Sequence, residues 1–186
     1  MSTEKLFSVF QAKAESMSAQ VHRVGTYAAA GELIAAKVKE MKAEKVHLFP
    51  SPQLEKTNCR ATLAGTGVNI SEKLDRAELD VTDVGITFVP YAVAETGSIF
   101  HPEENPLGRM VTMLPPTHIA IVPTSKILPT VADALVTVVA DYGKVPGYMS
   151  FISGPSRTAD IERVLTIGVH GPSRLIVILV DEGMEK

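Results

Sequence analysis

Along the first 45 positions apolar residues return every three or four places; beyond them they come in short unbroken runs. Leu6, Phe10, Ala14, Met17 and Val21 lie on one stripe of a helix. Gly25 interrupts that spacing, and Thr26 is suited to cap a second helix. Ala30, Leu33, Ile34, Val38 and Met41 make the stripe of that helix. Residues 1–44 therefore read as an N-terminal helical segment. Its first helix suits packing on the chain's own core or on a neighbour equally well.

From residue 45 the pattern alternates between apolar runs and helical stretches. Val46-His47-Leu48-Phe49 predicts a strand, stopped by Pro50 and Pro52. A helix over 54–63 closes at Gly65-Thr66-Gly67, and a short strand comes next at 68–70. Strands are expected at 84–89, 98–100, 118–122, 148–152 and 175–180, with helices over 128–142 and 159–167. Strands apolar along their whole length, separated by helices, predict an α/β domain over 45–186: three layers around a mostly parallel sheet. Right-handed crossovers would put its functional loops at the carboxyl ends of the strands. The stretch 101–116 is polar and proline-bearing, either a mobile flap or a surface connection.

Composition narrows the function classes. A chain of 186 residues can bury one sizeable core, and 45% hydrophobic with 21% charged residues is ordinary for a globular protein. A net charge of -3 gives no argument for nucleic acid. No run of about 18 apolar residues is present to span a bilayer. Met1-Ser2-Thr3-Glu4-Lys5-Leu6 has no basic patch leading into an apolar stretch, so no secretory signal and a cytoplasmic location are expected. The single cysteine, Cys59, fits a reducing compartment. It cannot hold an iron–sulfur cluster, which takes about four thiolates. Any such cluster must sit on a partner.

Two segments carry candidate chemistry. In Ser150-Phe151-Ile152-Ser153-Gly154-Pro155-Ser156-Arg157-Thr158 an apolar strand runs into a polar turn and then an expected helix. Ser156 or Thr158 would cap that helix, with Asp160 and Glu162 at its positive end. Ser153, Gly154, Ser156, Arg157 and Thr158 would hold a carboxylate or phosphate. The bland alternative is a capped turn with Arg157 paired to a nearby acid. In Tyr91-Ala92-Val93-Ala94-Glu95-Thr96-Gly97-Ser98, small residues surround one carboxylate. Glu95 is the candidate base or nucleophile, and its bland alternative is a carboxylate bonded to loop amides. Thr96, Gly97, His118 and His170 are candidate pocket residues. Neither histidine has a second ligand at metal spacing, and no metal site is expected. Dinucleotide, P-loop, nucleophile-elbow and C-x-x-C signatures are all absent.

Four segments together resemble the lactate-utilisation (LUD) domain family: Ala94-Glu95-Thr96-Gly97-Ser98, Leu114-Pro115-Pro116-Thr117-His118-Ile119, the run from Ile152 to Glu162, and Gly168-Val169-His170-Gly171-Pro172. The resemblance covers roughly residues 45 to 181. It implies a fold similar to the glucosamine-phosphate isomerase, ribose-phosphate isomerase and CoA-transferase group (NagB/RpiA/CoA-transferase-like). It also implies a part in bacterial L-lactate oxidation to pyruvate, as the cluster-free component beside cysteine-rich iron–sulfur proteins. This chain itself would bind no cofactor, and its ligand would be a small anion or the partner subunits; a homo-oligomer is compatible with that role. The alternatives are a stand-alone sugar-phosphate isomerase-like or CoA-transferase-like enzyme using Glu95, and a scaffold without chemistry.

Overall fold

The computed structural model describes residues 1–71, 73, 75–159, 165–167 and 171–183, with the backbone alone at 158–159 and 165–167. In chain order the first elements are α1 (Thr3–Ser16), β1 (Gln20–Val24), α2 (Tyr27–Glu40), β2 (Lys45–Leu48), α3 (Pro52–Lys56) and α4 (Cys59–Ala64). Then come β3 (Asn69–Ser71), α5 (Arg76–Asp80), β4 (Val84–Phe88), β5 (Tyr91–Val93), β6 (Ser98–His101), α6 (Pro106–Val111) and β7 (Thr117–Pro123). The last are β8 (Ile127–Leu128), α7 (Val131–Tyr142), β9 (Ser150–Ile152), β10 (Arg157–Ala159), β11 (Leu165–Ile167) and β12 (Arg174–Val180).

Local chemistry starts and stops these elements. The side chains of Ser2, Thr26 and Ser51 accept from backbone amides in the first turns of α1, α2 and α3. A Thr130–Asp133 capping box opens α7. The first helix stops earlier than its stripe predicts. Ser18 takes a left-handed φ of 68°, and Gln20–Val24 leaves the turn as a strand. Val21 falls on the helical phase of Met17 only by coincidence, so the segment 1–44 is not wholly helical: it contributes β1 to the sheet.

Six strands pair in the order β1-β12-β7-β4-β2-β3, every pair parallel. A second, mixed sheet runs β8-β5-β6-β9, with β5 parallel to β8 and antiparallel to β6. On one face of the large sheet, Ile34 and Val38 of α2 and Leu63 of α4 bury Ile86, Ile119, Ile121, Ile176 and Ile178. On the other, Leu6, Phe10 and Ala14 of α1 join Ala92 and Ile99 of the small sheet over Ala120, Val122, Val177 and Leu179. α1 thus packs on the chain's own core. Beyond the small sheet, Ala134 and Val138 of α7 cover Tyr91, Val93 and Phe100. The parallel core expected from sequence is present, but a second sheet with α1, rather than helices alone, covers one of its faces. In β12, Ile176 to Val180 are buried on both faces, each such side chain stabilising by about 1.5–3 kcal/mol.

Two further expectations are corrected. The helix over 159–167 is not formed at its ends: Arg157–Ala159 and Leu165–Ile167 pair antiparallel, Arg157 opposite Ile167. Thr158, Thr166 and Ile167 are β-branched, which favours extended backbone over helix. Asp160 and Glu162 lie outside the described residues. The segment 101–116 contains α6, whose Gly108 and Val111 are buried. The helix expected over 54–63 breaks at Thr57-Asn58 into α3 and α4, Asn58 standing at a left-handed φ of 52°.

His47, Gly85 and His118 stand in register across β2, β4 and β7, so both imidazoles face the same side of the sheet. His118 is fully buried, with Nε2 2.9 Å from Thr87 Oγ1, and its Nδ1 has no hydrogen-bond partner among the described residues. Burial pushes His118 down to about 3, helped by nearby His101, which burial itself pushes down to about 4. The Glu103 carboxylate is 3.9 Å from His101 Nε2, too far to offset that burial. Both imidazoles stay neutral in the folded chain but take up a proton near pH 6.5 once unfolded, so stability rises with pH between about 4 and 6.5. Chemical denaturation should find the protein less stable at pH 5 than at pH 7 by on the order of 3 kcal/mol. His118→Gln should roughly halve that difference; an identical slope in the variant would remove His118 from the account.

Candidate functional site

Helix α1 spans the molecule from one edge of the parallel sheet to the other. At its start Glu4 binds Arg23, whose Nε also meets Asp181, 2.8 Å away, just past the carboxyl end of β12. At its end Met17 and Ser18 lead into β1 at the amino edge. Three positions singled out in the sequence converge on that end. Gly97 has a φ of 65° and a side chain there would overlap the backbone at Ala14. Gly154 has a φ of 74° and a Cβ would overlap the Met17 carbonyl oxygen. Arg157 donates from Nη2 to that same oxygen at 2.9 Å and to Ser18 Oγ. The arginine therefore clamps the helix end instead of standing free for a ligand, and its partner is a carbonyl, not the acid that the sequence alternative supposes.

The glutamate loop and the arginine-bearing turn are neighbours. β6 and β9 pair with Ile99 opposite Ile152, and just beyond that pair Ser98 Oγ lies 2.6 Å from Ser153 Oγ. Ser98 gives its own proton to Thr96 Oγ1 at 2.8 Å, so Ser153 is the donor in the longer chain of hydroxyls. Ser156 N donates to Pro172 O at 2.8 Å, and Ser173 N to Pro116 O, which fixes the turn beside the first residues of β7 and β12. Both loops thus sit at the amino edge of the large sheet, opposite to the carboxyl edge expected from crossover handedness. The reason is topological: β5 and β9 belong to the small sheet, whose strands return across the large one.

The turn opens on a cleft of about 380 Å³. Ser153, Gly154, Pro155, Ser156 and Arg157 form one wall, Gly171 and Pro172 another, and Arg109, Thr112 and Tyr148 the third. The Arg109 guanidinium lies 4.0 Å from the Tyr148 ring centroid. Among the described residues no carboxylate pairs with it. Arg109 was not singled out in the sequence because it lies in the polar stretch 101–116, where no periodicity marks it. Asn105 capping Leu107 N, with Pro106 opening the helix, was the available signal.

Other candidates are placed differently. Glu95 is exposed, and its Oε2 accepts from Val131 N at 3.1 Å, the first amide of α7. It helps to cap that helix, as its bland alternative supposes, and does not line the cleft. Thr96 and buried Gly97 support the loop, while His118 is sealed in the core under the sheet. His170 and the side chain of Thr158 lie outside the described residues. At the carboxyl end of β2 a second cavity of about 320 Å³ is lined by Leu48, Leu54 and Cys59, whose thiol burial pushes up. Among the described residues no three His, Cys, Asp or Glu side chains come together as metal ligands, and no helix is long and apolar enough to cross a membrane.

Comparison with known proteins gives a consistent answer. The family model described as the LUD domain matches residues 7–180. The chain is similar to lactate utilization protein C of Halalkalibacterium halodurans, 33% identical over 152 residues, covering 78% of this chain and 66% of that protein. It is 40% identical over 114 residues to lactate utilization protein C of Bacillus subtilis, covering 60% of this chain and 47% of that protein. The matches thus take in about half to two thirds of these relatives' length. A solved structure, that of a DUF162 family protein from Deinococcus radiodurans, superposes with a TM-score of 0.64 at 26% identity, covering 97% of this chain and 99% of that one.

The packing of the site against α1 can be tested directly. Gly154→Ala adds a Cβ against the Met17 carbonyl in a backbone region that disfavours it, and should cost about 2–4 kcal/mol. Glu95→Gln keeps an acceptor for the Val131 amide and should cost less than about 1 kcal/mol. Urea melts of both variants measure this, and a Gly154→Ala variant as stable as the parent would contradict the packing.

Proposed function

The chain belongs to the LUD-domain family, and on that premise we propose that it is the cluster-free component of a bacterial L-lactate oxidation system. In this reading it holds a small carboxylate in the cleft between Arg109 and the 153–157 turn. The observation that carries the reading is Arg109: a guanidinium held against an aromatic ring, facing a hydroxyl-rich turn, with no acidic partner among the described residues. A fork of N–H donors is matched to a planar carboxylate, and stacking on Tyr148 fixes its plane. Ser153 and Ser156 supply hydroxyls for a neighbouring oxygen of the same ligand. The relatives named lactate utilization protein C support the choice of carboxylate. The one cysteine supports assigning electron transfer to cysteine-rich iron–sulfur partner proteins rather than to this chain. A parallel sheet of this kind also suits the proposed kinship with the glucosamine-phosphate isomerase and CoA-transferase group. Nothing in the placement of Glu95 favours the stand-alone enzyme, since its carboxylate is engaged by α7.

Thermal melting in L-lactate, pyruvate, inorganic phosphate and glucosamine 6-phosphate tests the proposal, because a ligand of the folded state raises the melting temperature. L-Lactate or pyruvate should raise it by several degrees, which at about 100 times Kd corresponds to roughly 2.7 kcal/mol. Arg109→Ala should abolish the shift and Glu95→Gln leave it intact. A response to sugar phosphate alone, or a carboxylate shift that survives in Arg109→Ala, would overturn the reading. In the cell, undiminished growth on L-lactate after deletion of the gene, with no second lactate-oxidising route, would do the same.

A further inference from the structure

Three large apolar side chains that stay exposed line the same cleft as Arg109: Met113, Tyr148 and Phe151, at 48, 38 and 39%. Phe151 ends a run of rings that starts in the core. Tyr91 lies 5.8 Å from Phe100, and Phe100, itself fully buried, stacks on Phe151 at 4.4 Å and 6° across the β6–β9 pair. One face of the Phe151 ring is therefore covered, and its exposure falls on the other face and the edge. The Arg109 guanidinium already lies over Tyr148, which leaves Phe151 as the ring with a free face. The cleft's volume of about 380 Å³ falls among the roughly 300–1,000 Å³ of sites that enclose drug-sized ligands. A three-carbon acid held by Arg109 leaves most of that space to water and these apolar side chains wet.

Resting on the carboxylate reading of this cleft, we propose that the acid it takes is a 2-hydroxy acid with an aromatic side chain. Its ring lies on the open face of Phe151 while Arg109 holds its carboxylate. The ligand's ring then extends the run Tyr91, Phe100 and Phe151 by one member, in the offset or edge-on geometry that aromatic pairs prefer. Met113 brings a polarizable thioether, which is suited to a ring edge. Ser153 gives its proton to Ser98, so its oxygen is left to accept from the ligand's 2-hydroxyl. One cation among exposed apolar side chains matches a ligand with one anionic end and an apolar body. A sugar phosphate, hydroxylated along its length, would cover those side chains with polar groups. A branched aliphatic side chain would meet the flat Phe151 ring over less of its area.

Titration calorimetry of the chain with L-lactate, L-2-hydroxyisocaproate and L-3-phenyllactate tests this, since these acids share the 2-hydroxy carboxylate and differ in the side chain. Phenyllactate should bind at least about tenfold tighter than lactate and about threefold tighter than hydroxyisocaproate. Phe151→Leu keeps an apolar side chain against Phe100 but removes the flat face. It should erase most of phenyllactate's advantage and leave lactate within about twofold of its parent affinity. Arg109→Ala should abolish binding of every one of these acids. Lactate that binds as tightly as phenyllactate overturns this inference and leaves the carboxylate reading standing. So does hydroxyisocaproate that equals phenyllactate, or an advantage that survives Phe151→Leu. A chain that binds none of the acids overturns both. The comparison of the acids on the unaltered chain needs no variant to fold.

Discussion

The last turn of α1 holds the candidate site together. The Met17 carbonyl faces Gly154 and accepts from Arg157, while Gly97 lies against the turn before it. A helix end leaves carbonyls without partners inside the helix, and a guanidinium is well matched to fill that need. The left-handed Ser18 then redirects the backbone into β1, so the same few residues terminate a helix, start an edge strand and seat two loops. Two of those contacts permit no side chain, which is why both glycines stand there. Loosening this turn would release both the 153–157 turn and the glutamate loop.

Much of the architecture was legible because its signals are long and redundant. The apolar runs of β4, β7 and β12 are buried on both faces, and only a parallel sheet covered on both sides makes such runs normal. What was not legible is short or ambiguous. β1 is five residues long, its Val21 and Val24 stand three apart, and that spacing continues the stripe of the helix before it. The three-residue strand β5 looks like a loop of small residues until its partners β6 and β8 are known. The pairing of β10 with β11 depends on a contact eight or so residues away that a capped turn mimics well.

The site was half visible for a related reason. Residue type identifies groups capable of chemistry, but not the direction in which they point. Glu95 and Arg157 are both capable, and both are engaged by backbone, the one by an amide of α7 and the other by a carbonyl of α1. Arg109 differs because it stacks on the Tyr148 ring, on the same wall of the cleft. That relation joins two segments some forty residues apart, so local spacing could not reveal it. Arg109 is a cleft cation that stacks on a ring, with no carboxylate beside it among the described residues.

The position of β12 has a consequence for how the molecule comes into being. β12 lies far from β1 along the chain yet is central to the sheet: among the described residues it is the strand that β1 pairs with in the large sheet, and it runs along one whole side of β7. During synthesis β1 must wait, its hydrogen-bonding edge unmatched, until β12, some 150 residues further along the chain, has left the ribosome. Contacts so distant along the chain form slowly and leave sheet edges open meanwhile. For this protein, the interval between emergence of β1 and arrival of β12 is the period of greatest exposure to misassembly.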